Sequence, residues 1–341
     1  MARQLIDALR LSGHEVQLAS SLRTFLPDSD PGSFAAAKVR AEAEIDRLRS
    51  EWRLSGAPHL WFCYHPYYKA PDLLGPTLCR AARIPYVTAE ASWSERRGEG
   101  AWSVTQELVA DAIGLAKVNI CFTARDRIGL HQALPLARVA MLPPFIDTSH
   151  YEALVPIDNS MRLVTVAMMR SGDKFDSYRM LSAALAMILD LPWTLSVVGG
   201  GKRQPDVEAL FAEFPPRRID WLGEVDPERV PEILCRSGIF VWPGCGEAYG
   251  LSYLEAQAAG LPVVAQNTAG VPEVVRHGMT GLLTPAGDVH SFAEAVRRLL
   301  LAKGERAAMA VAARRFVLSD RSLGGAARHL DKLLPEAMGA V

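Results

Sequence analysis

Short apolar runs alternate with longer amphipathic stretches along the whole 341-residue chain. The runs are HEVQL (14–18), HLWFCYH (59–65), PYVTA (85–89), VNICFTA (118–124) and VAML (139–142). After a break come RLVTVAM (162–168), TLSVVG (194–199), IDWLG (219–223), IFVW (239–242), LPVVA (261–265) and GLLTP (281–285). Most are continuous and β-branched, the pattern of strands buried on both faces. Helical periodicity fills the intervals, as in VEALFAEF and SFAEAVRRLLLAK. Such repetition predicts parallel sheets assembled from right-handed β-α-β units. The break at 143–161 lacks a helical period and reads as an interdomain connection. The chain is too long for one ordinary α/β core. The expected fold class is therefore α/β, with two Rossmann-like domains whose parallel sheets face a cleft where ligands bind. The expected boundaries are 1–150, 151–318 and a helical tail at 319–341 that packs back toward the first domain.

Composition narrows the functional classes. The 37 basic and 38 acidic side chains leave a net charge of −1, without the basic surplus of a nucleic-acid binder. Five scattered cysteines without a C-x-x-C pair form neither a disulfide framework nor a zinc site and suit a reducing cytoplasm. Neither a secretion signal nor a window of about 18 apolar residues is present. Peripheral contact with the inner face of a membrane stays open. Asp28 and Asp30 form a D-x-D pair inside the loop LPDSDPGS (26–33), which reads as solvation rather than a metal site.

The informative stretch is VWPGCGEAYGLSYLEAQAAGLPVVAQNTAGVPEVV, residues 241–275. A strand leads into a glycine-rich loop, then a helix from about Leu251, then another strand. Gly250 and Leu251 stand at the helix start, where free N–H groups and the positive dipole end suit a diphosphate. Glu247 precedes the helix and Glu255 lies one turn into it. Both can face one ligand, Glu255 toward a ribose diol and Glu247 nearer the reacting sugar.

This stretch resembles the retaining glycosyltransferases of the GT-B fold, the group 1 family (family 4). The resemblance rests on two glutamates with seven residues between them, Tyr249-Gly250-Leu251 among those seven, and the continuation through TAGVPEVV to GMTGLLTPAGD. It implies a donor site containing Glu247, Tyr249, Gly250, Leu251 and Glu255. It also implies that Arg170 and Lys174, in MMRSGDKF, grip the donor's diphosphate; fixed cations would stabilise the charge growing on the leaving group. Met169 stands where the family usually has Gly, and the family's Lys often comes one residue later. VVGGGKRQPDVEAL resembles the family's glycine turn, so Gly199 and Gly200 join the expected donor contacts. YHPYY (64–68) resembles the loop whose histidine, here His65, reaches the donor sugar. Trp61 in the same aromatic group reads as core.

The family opens with an apolar strand and a glycine-bearing loop, whereas this chain opens in the following helix. The resemblance thus implies a missing first strand, as from a mis-assigned start or truncation, which would leave neighbouring strands with unpaired edges. The implied reaction is metal-independent transfer of a sugar from a nucleoside diphosphate sugar to a hydroxyl acceptor, with no cofactor. The alternatives are a non-catalytic or truncated nucleotide-sugar-binding protein and a nucleotide-sugar epimerase.

Overall fold

The computed structural model describes residues 1–341 except Gly98, Asp158, Ser160, Ala340, Val341 and the side chain of Arg96. Two compact units divide the chain: Met1–Pro143 together with the residues from Ala326 onward, and Pro144–Gly325.

The first unit begins with α1 (Ala2–Leu11) and α2 (Pro31–Ser55) and continues through β1 (Trp61–Tyr64), α3 (Gly75–Ala82) and β2 (Tyr86–Ala89). It then runs through α4 (Ser103–Leu115), β3 (Val118–Cys121), α5 (Ala124–Ala133) and β4 (Val139–Met141). The four strands form a parallel sheet in the order β1-β2-β3-β4. Residues 14–18, expected as a strand, join no sheet, and Leu18 is 82% exposed. β1 is the edge strand of the sheet, and 14–18 do not pair with it; the His14 N–H donates instead to Leu9 O at 3.1 Å, closing α1. The 26–33 loop is shorter than expected because α2 starts at Pro31. Proline suits the first helical position, and the Asp30 carboxylate accepts the Ser33 N–H at 2.8 Å. Asp30 is thus a helix cap rather than a solvated loop residue.

The second unit opens with α6 (Ser149–Glu152), β5 (Arg162–Val166), α7 (Asp173–Ala186), β6 (Thr194–Val198), α8 (Gln204–Ala209) and β7 (Ile219–Gly223). There follow α9 (Val230–Cys235), β8 (Ile239–Val241), α10 (Leu251–Ala258), β9 (Val263–Gln266), α11 (Val271–Val274) and β10 (Gly281–Thr284). Helices α12 (Val289–Leu301) and α13 (Lys303–Asp320) complete it, and α14 (Leu323–Met338) carries the chain into the first unit. The six parallel strands are ordered β10-β9-β8-β5-β6-β7. β5 and β8 are neighbours, but the chain leaves them in opposite directions across the sheet. Such a switch point opens a crevice at the strands' carboxyl ends. Trp193, Trp242, Tyr178, Tyr253, Phe240 and Phe292 are fully buried in the core beneath it.

The 143–161 connection belongs largely to the second unit. Tyr151 is buried in its core, and the Arg314 guanidinium on α13 donates to the carbonyls of Tyr151 at 2.8 Å, Leu154 at 2.9 Å and Ala258 at 2.7 Å. Arg314→Met would leave the carbonyls of Leu154 and Ala258 without this donor, while that of Tyr151 keeps the Leu154 N–H. The expected outcome is a loss of about 3 kcal/mol, read as a lower urea midpoint at unchanged slope.

Candidate functional site

The loop after β5 is held by backbone pairing with the loop after β6. The N–H of Ala167 donates to Val198 O at 3.0 Å, and that of Met169 to Gly200 O at 2.7 Å. This approach admits only glycine opposite it. A Cβ on Gly199 would lie 2.1 Å from Ala167 O, and one on Gly201 2.4 Å from Met169 O; both glycines have positive φ. The glycine run thus fixes the path of 167–172. Met169 is buried, and Arg170 is turned out to solvent at the carboxyl end of the sheet.

Four residues on, in the first turn of α7, Lys174 forms an ion pair with Glu247 from the β8–α10 loop. Both side chains are only 16% exposed. The Trp242 indole N–H donates to the same Glu247 oxygen at 3.4 Å, and the Lys174 ammonium stands 5.5 Å from the centre of the Trp242 ring. A cation–π contact thus supports the lysine while the glutamate neutralises it. The sequence expectation placed Lys174 and Glu247 in one site, and the structure brings them together across the β5/β8 switch.

The β8–α10 loop is anchored to α7 by Ser177. Its hydroxyl accepts the Cys245 N–H at 2.9 Å and donates to Asp173 O at 2.7 Å. Nothing larger than glycine fits at 246, where a Cβ would meet the Asp173 carboxylate at 2.2 Å. Gly250 caps α10 with φ 75° and accepts the Tyr253 N–H at 3.2 Å, leaving the N–H groups of Leu251 and Ser252 at the helix start without intrahelical partners. Tyr249 and Leu251 rest partly against the core. Glu255, one turn into α10, is half-buried, and among the described residues its carboxylate receives no hydrogen bond. Burial pushes its pKa up.

In the first unit, His65 follows β1 with φ 56°, and Glu90 follows β2 with φ 57°. The ring nitrogen Nδ1 of His65 lies 3.1 Å from Glu90 O and 3.8 Å from its carboxylate. Two neighbouring non-glycine residues in the left-handed region store strain of the kind that gathers at functional sites. The His65 ring stacks at 4.9 Å on Tyr67. Trp61 instead packs edge-on to Trp52 and donates to Asp72 at 3.1 Å, a structural role.

Sequence reasoning missed Trp242, Ser177 and Glu90 as supports of the site. Each acts through a contact distant in sequence that no local pattern announces; only the position of Glu90 after a strand end offered a signal.

A family model for glycosyl transferases group 1 matches residues 160–302. A GDP-mannose-dependent alpha-(1-6)-phosphatidylinositol monomannoside mannosyltransferase of Mycobacterium tuberculosis is 28% identical over 200 residues. That alignment takes in 54% of this chain, and the chain spans about half of that relative's length, 52%. Among solved structures, the sucrose-phosphate synthase of Thermosynechococcus elongatus superposes with a TM-score of 0.72 at 18% identity, covering 100% of this chain and 93% of that one. The Anabaena protein HepE, solved with UDP-glucose, gives a TM-score of 0.65 at 18% identity, with coverage of 85% and 81%. These similarities establish the fold: two Rossmann-like units with parallel sheets.

The raised pKa of Glu255 has a stability consequence. Protonation is favoured in the folded state, so this contribution is fully present below the unfolded-state pKa of about 4.3 and is lost as pH rises through the folded value. Glu255→Gln removes that loss. Without ligand, the variant should melt at a higher temperature than the parent at pH 7, and the two should converge below pH ~4; a variant that melts lower at pH 7 would contradict a half-buried carboxylate with a raised pKa.

Proposed function

We propose that this chain, whose residues 160–302 belong to the glycosyl transferases group 1 family, moves a sugar from a nucleoside diphosphate sugar to a hydroxyl acceptor, retaining the anomeric configuration and requiring no metal or cofactor. The observation that carries the reading is the half-buried Lys174–Glu247 pair at the β5/β8 switch point, beside the open first turn of α10. The unpaired Glu255 carboxylate suits a ribose diol, which would supply the donors it lacks. HepE, of the same fold, binds UDP-glucose, which supports a nucleotide-sugar donor here.

In this reading Arg170, Lys174 and the α10 amides hold the diphosphate. The bond from the anomeric carbon to the phosphate oxygen breaks through an oxocarbenium-like transition state, and the cations meet the growing negative charge. The acceptor oxygen bonds to the anomeric carbon on the face the leaving group vacates, and the hydroxyl proton passes to the departing phosphate. Glu247 orients Lys174 and faces the sugar. A reducing cytoplasm suits the five unpaired cysteines.

Lys174→Ala is expected to lower turnover roughly 10²–10³-fold. An α-linked donor should give an α-linked product by NMR, with turnover unchanged by EDTA. A β-linked product or loss of turnover in EDTA would refute retention or metal independence, respectively.

A further inference from the structure

In a parallel sheet, the segments entering successive strands all lie along one edge. In the first unit, the segments entering β2, β3 and β4 place Arg83, Lys117 and Arg138 around a groove of about 560 Å³. Neighbouring strands are about 4.8 Å apart, so the backbones entering β2 and β4 are separated by roughly one Debye length. All three are exposed, and among the described residues none forms an ion pair. Arg80 also lines the groove but is bound to Asp111 at 2.6 Å, and Glu336 is the groove's own carboxylate. The lip therefore carries a surplus of positive charge on a chain whose net charge is −1.

Two further features distinguish this lip from a merely solvated charge cluster. Leu136, two residues before Arg138, is 98% exposed, and Met338 lines the groove while 38% exposed. Apolar side chains projecting beside unpaired cations match a surface with anionic headgroups over hydrocarbon. Arg83, moreover, closes α3 in the left-handed region, φ 55°, where glycine is the inexpensive choice. The fold itself does not ask for arginine there.

We propose that this edge docks the protein onto an anionic lipid bilayer, with Arg83, Lys117 and Arg138 against the headgroups and Leu136 and Met338 inserted between them. Among the described residues no helix is long and apolar enough to cross a membrane. This inference is independent of the donor site.

The test is co-sedimentation of the full chain with vesicles of phosphatidylcholine alone and of phosphatidylcholine mixed with phosphatidylglycerol. The expected result is binding to the mixed vesicles only, weakening as salt rises. Arg83→Gly and Lys117→Gln should each lower the partition constant about fivefold. Leu136→Ser should lower it further without changing its salt dependence. Arg83→Gly relieves a left-handed residue, so its melting temperature should hold or rise, and lost binding cannot then be blamed on unfolding. The proposal is overturned by absence of binding to mixed vesicles, by equal binding to both kinds, or by variants that bind as the parent does. It is also overturned if inorganic pyrophosphate raises the melting temperature through these cations while vesicles go unbound.

Discussion

β5 and β8 lie side by side, yet the chain departs from them in opposite directions, and right-handed crossovers then carry α7 and α10 to opposite faces of the sheet. The carboxyl ends between them are left uncovered. Into that gap the first turn of α7 sends Lys174 and the β8–α10 loop sends Glu247, oppositely charged and mostly withdrawn from water. A half-buried charge needs a partner, and each is the other's. The pair ties two segments 73 residues apart in sequence, and the arrangement of Arg170, Gly250 and Glu255 follows from that tie. A diphosphate entering the gap would bring further negative charge to a lysine already held in place by Trp242.

The surroundings of the pair are rigid where the proposed chemistry requires it. The loop carrying Arg170 is backbone-paired to a glycine run that admits no side chain, and the loop carrying Glu247 is fastened to α7 through Ser177. Polar groups held before a ligand arrives need little reorganisation when charge develops, which is the main electrostatic advantage of a folded site. Glu255 is the exception: half-buried and, among the described residues, without a hydrogen-bond donor, it costs stability in the free protein. This pattern, local cost at a position suited to a ligand, is the usual mark of a binding group.

Much of this was legible in the residues. Continuous apolar runs identified the parallel strands because β2, β3, β8 and β9 are covered on both faces, and the glycine-rich turn before α10 announced a helix start built for an anion. Residues 14–18 carried a strand-like pattern but join no sheet, since a strand depends on a neighbour that its own residues do not encode. Asp30 looked like loop solvation because a cap is recognisable only once the helix that follows, from Pro31, is known. Trp242 reads as a core tryptophan, and it is one; its ring face and N–H serve the site only because β8 places it beneath Lys174. Ser177 was silent for the same reason, its partner Cys245 being distant in sequence, and Glu90 was marked only by its place after a strand end.

The central claim is that a nucleoside diphosphate occupies the gap between β5 and β8. Its most direct test is the melting temperature of the chain with UDP, GDP and ADP, compared with that of Glu255→Ala. A nucleotide at about a hundred times its dissociation constant adds roughly 2.7 kcal/mol, and each kcal/mol raises the melting point of a domain this size by about 2–4 °C. The account predicts a rise of several degrees with one of the three nucleotides and its loss in the variant. A cooperative transition that none of the nucleotides moves, or a shift that persists in Glu255→Ala, would contradict it.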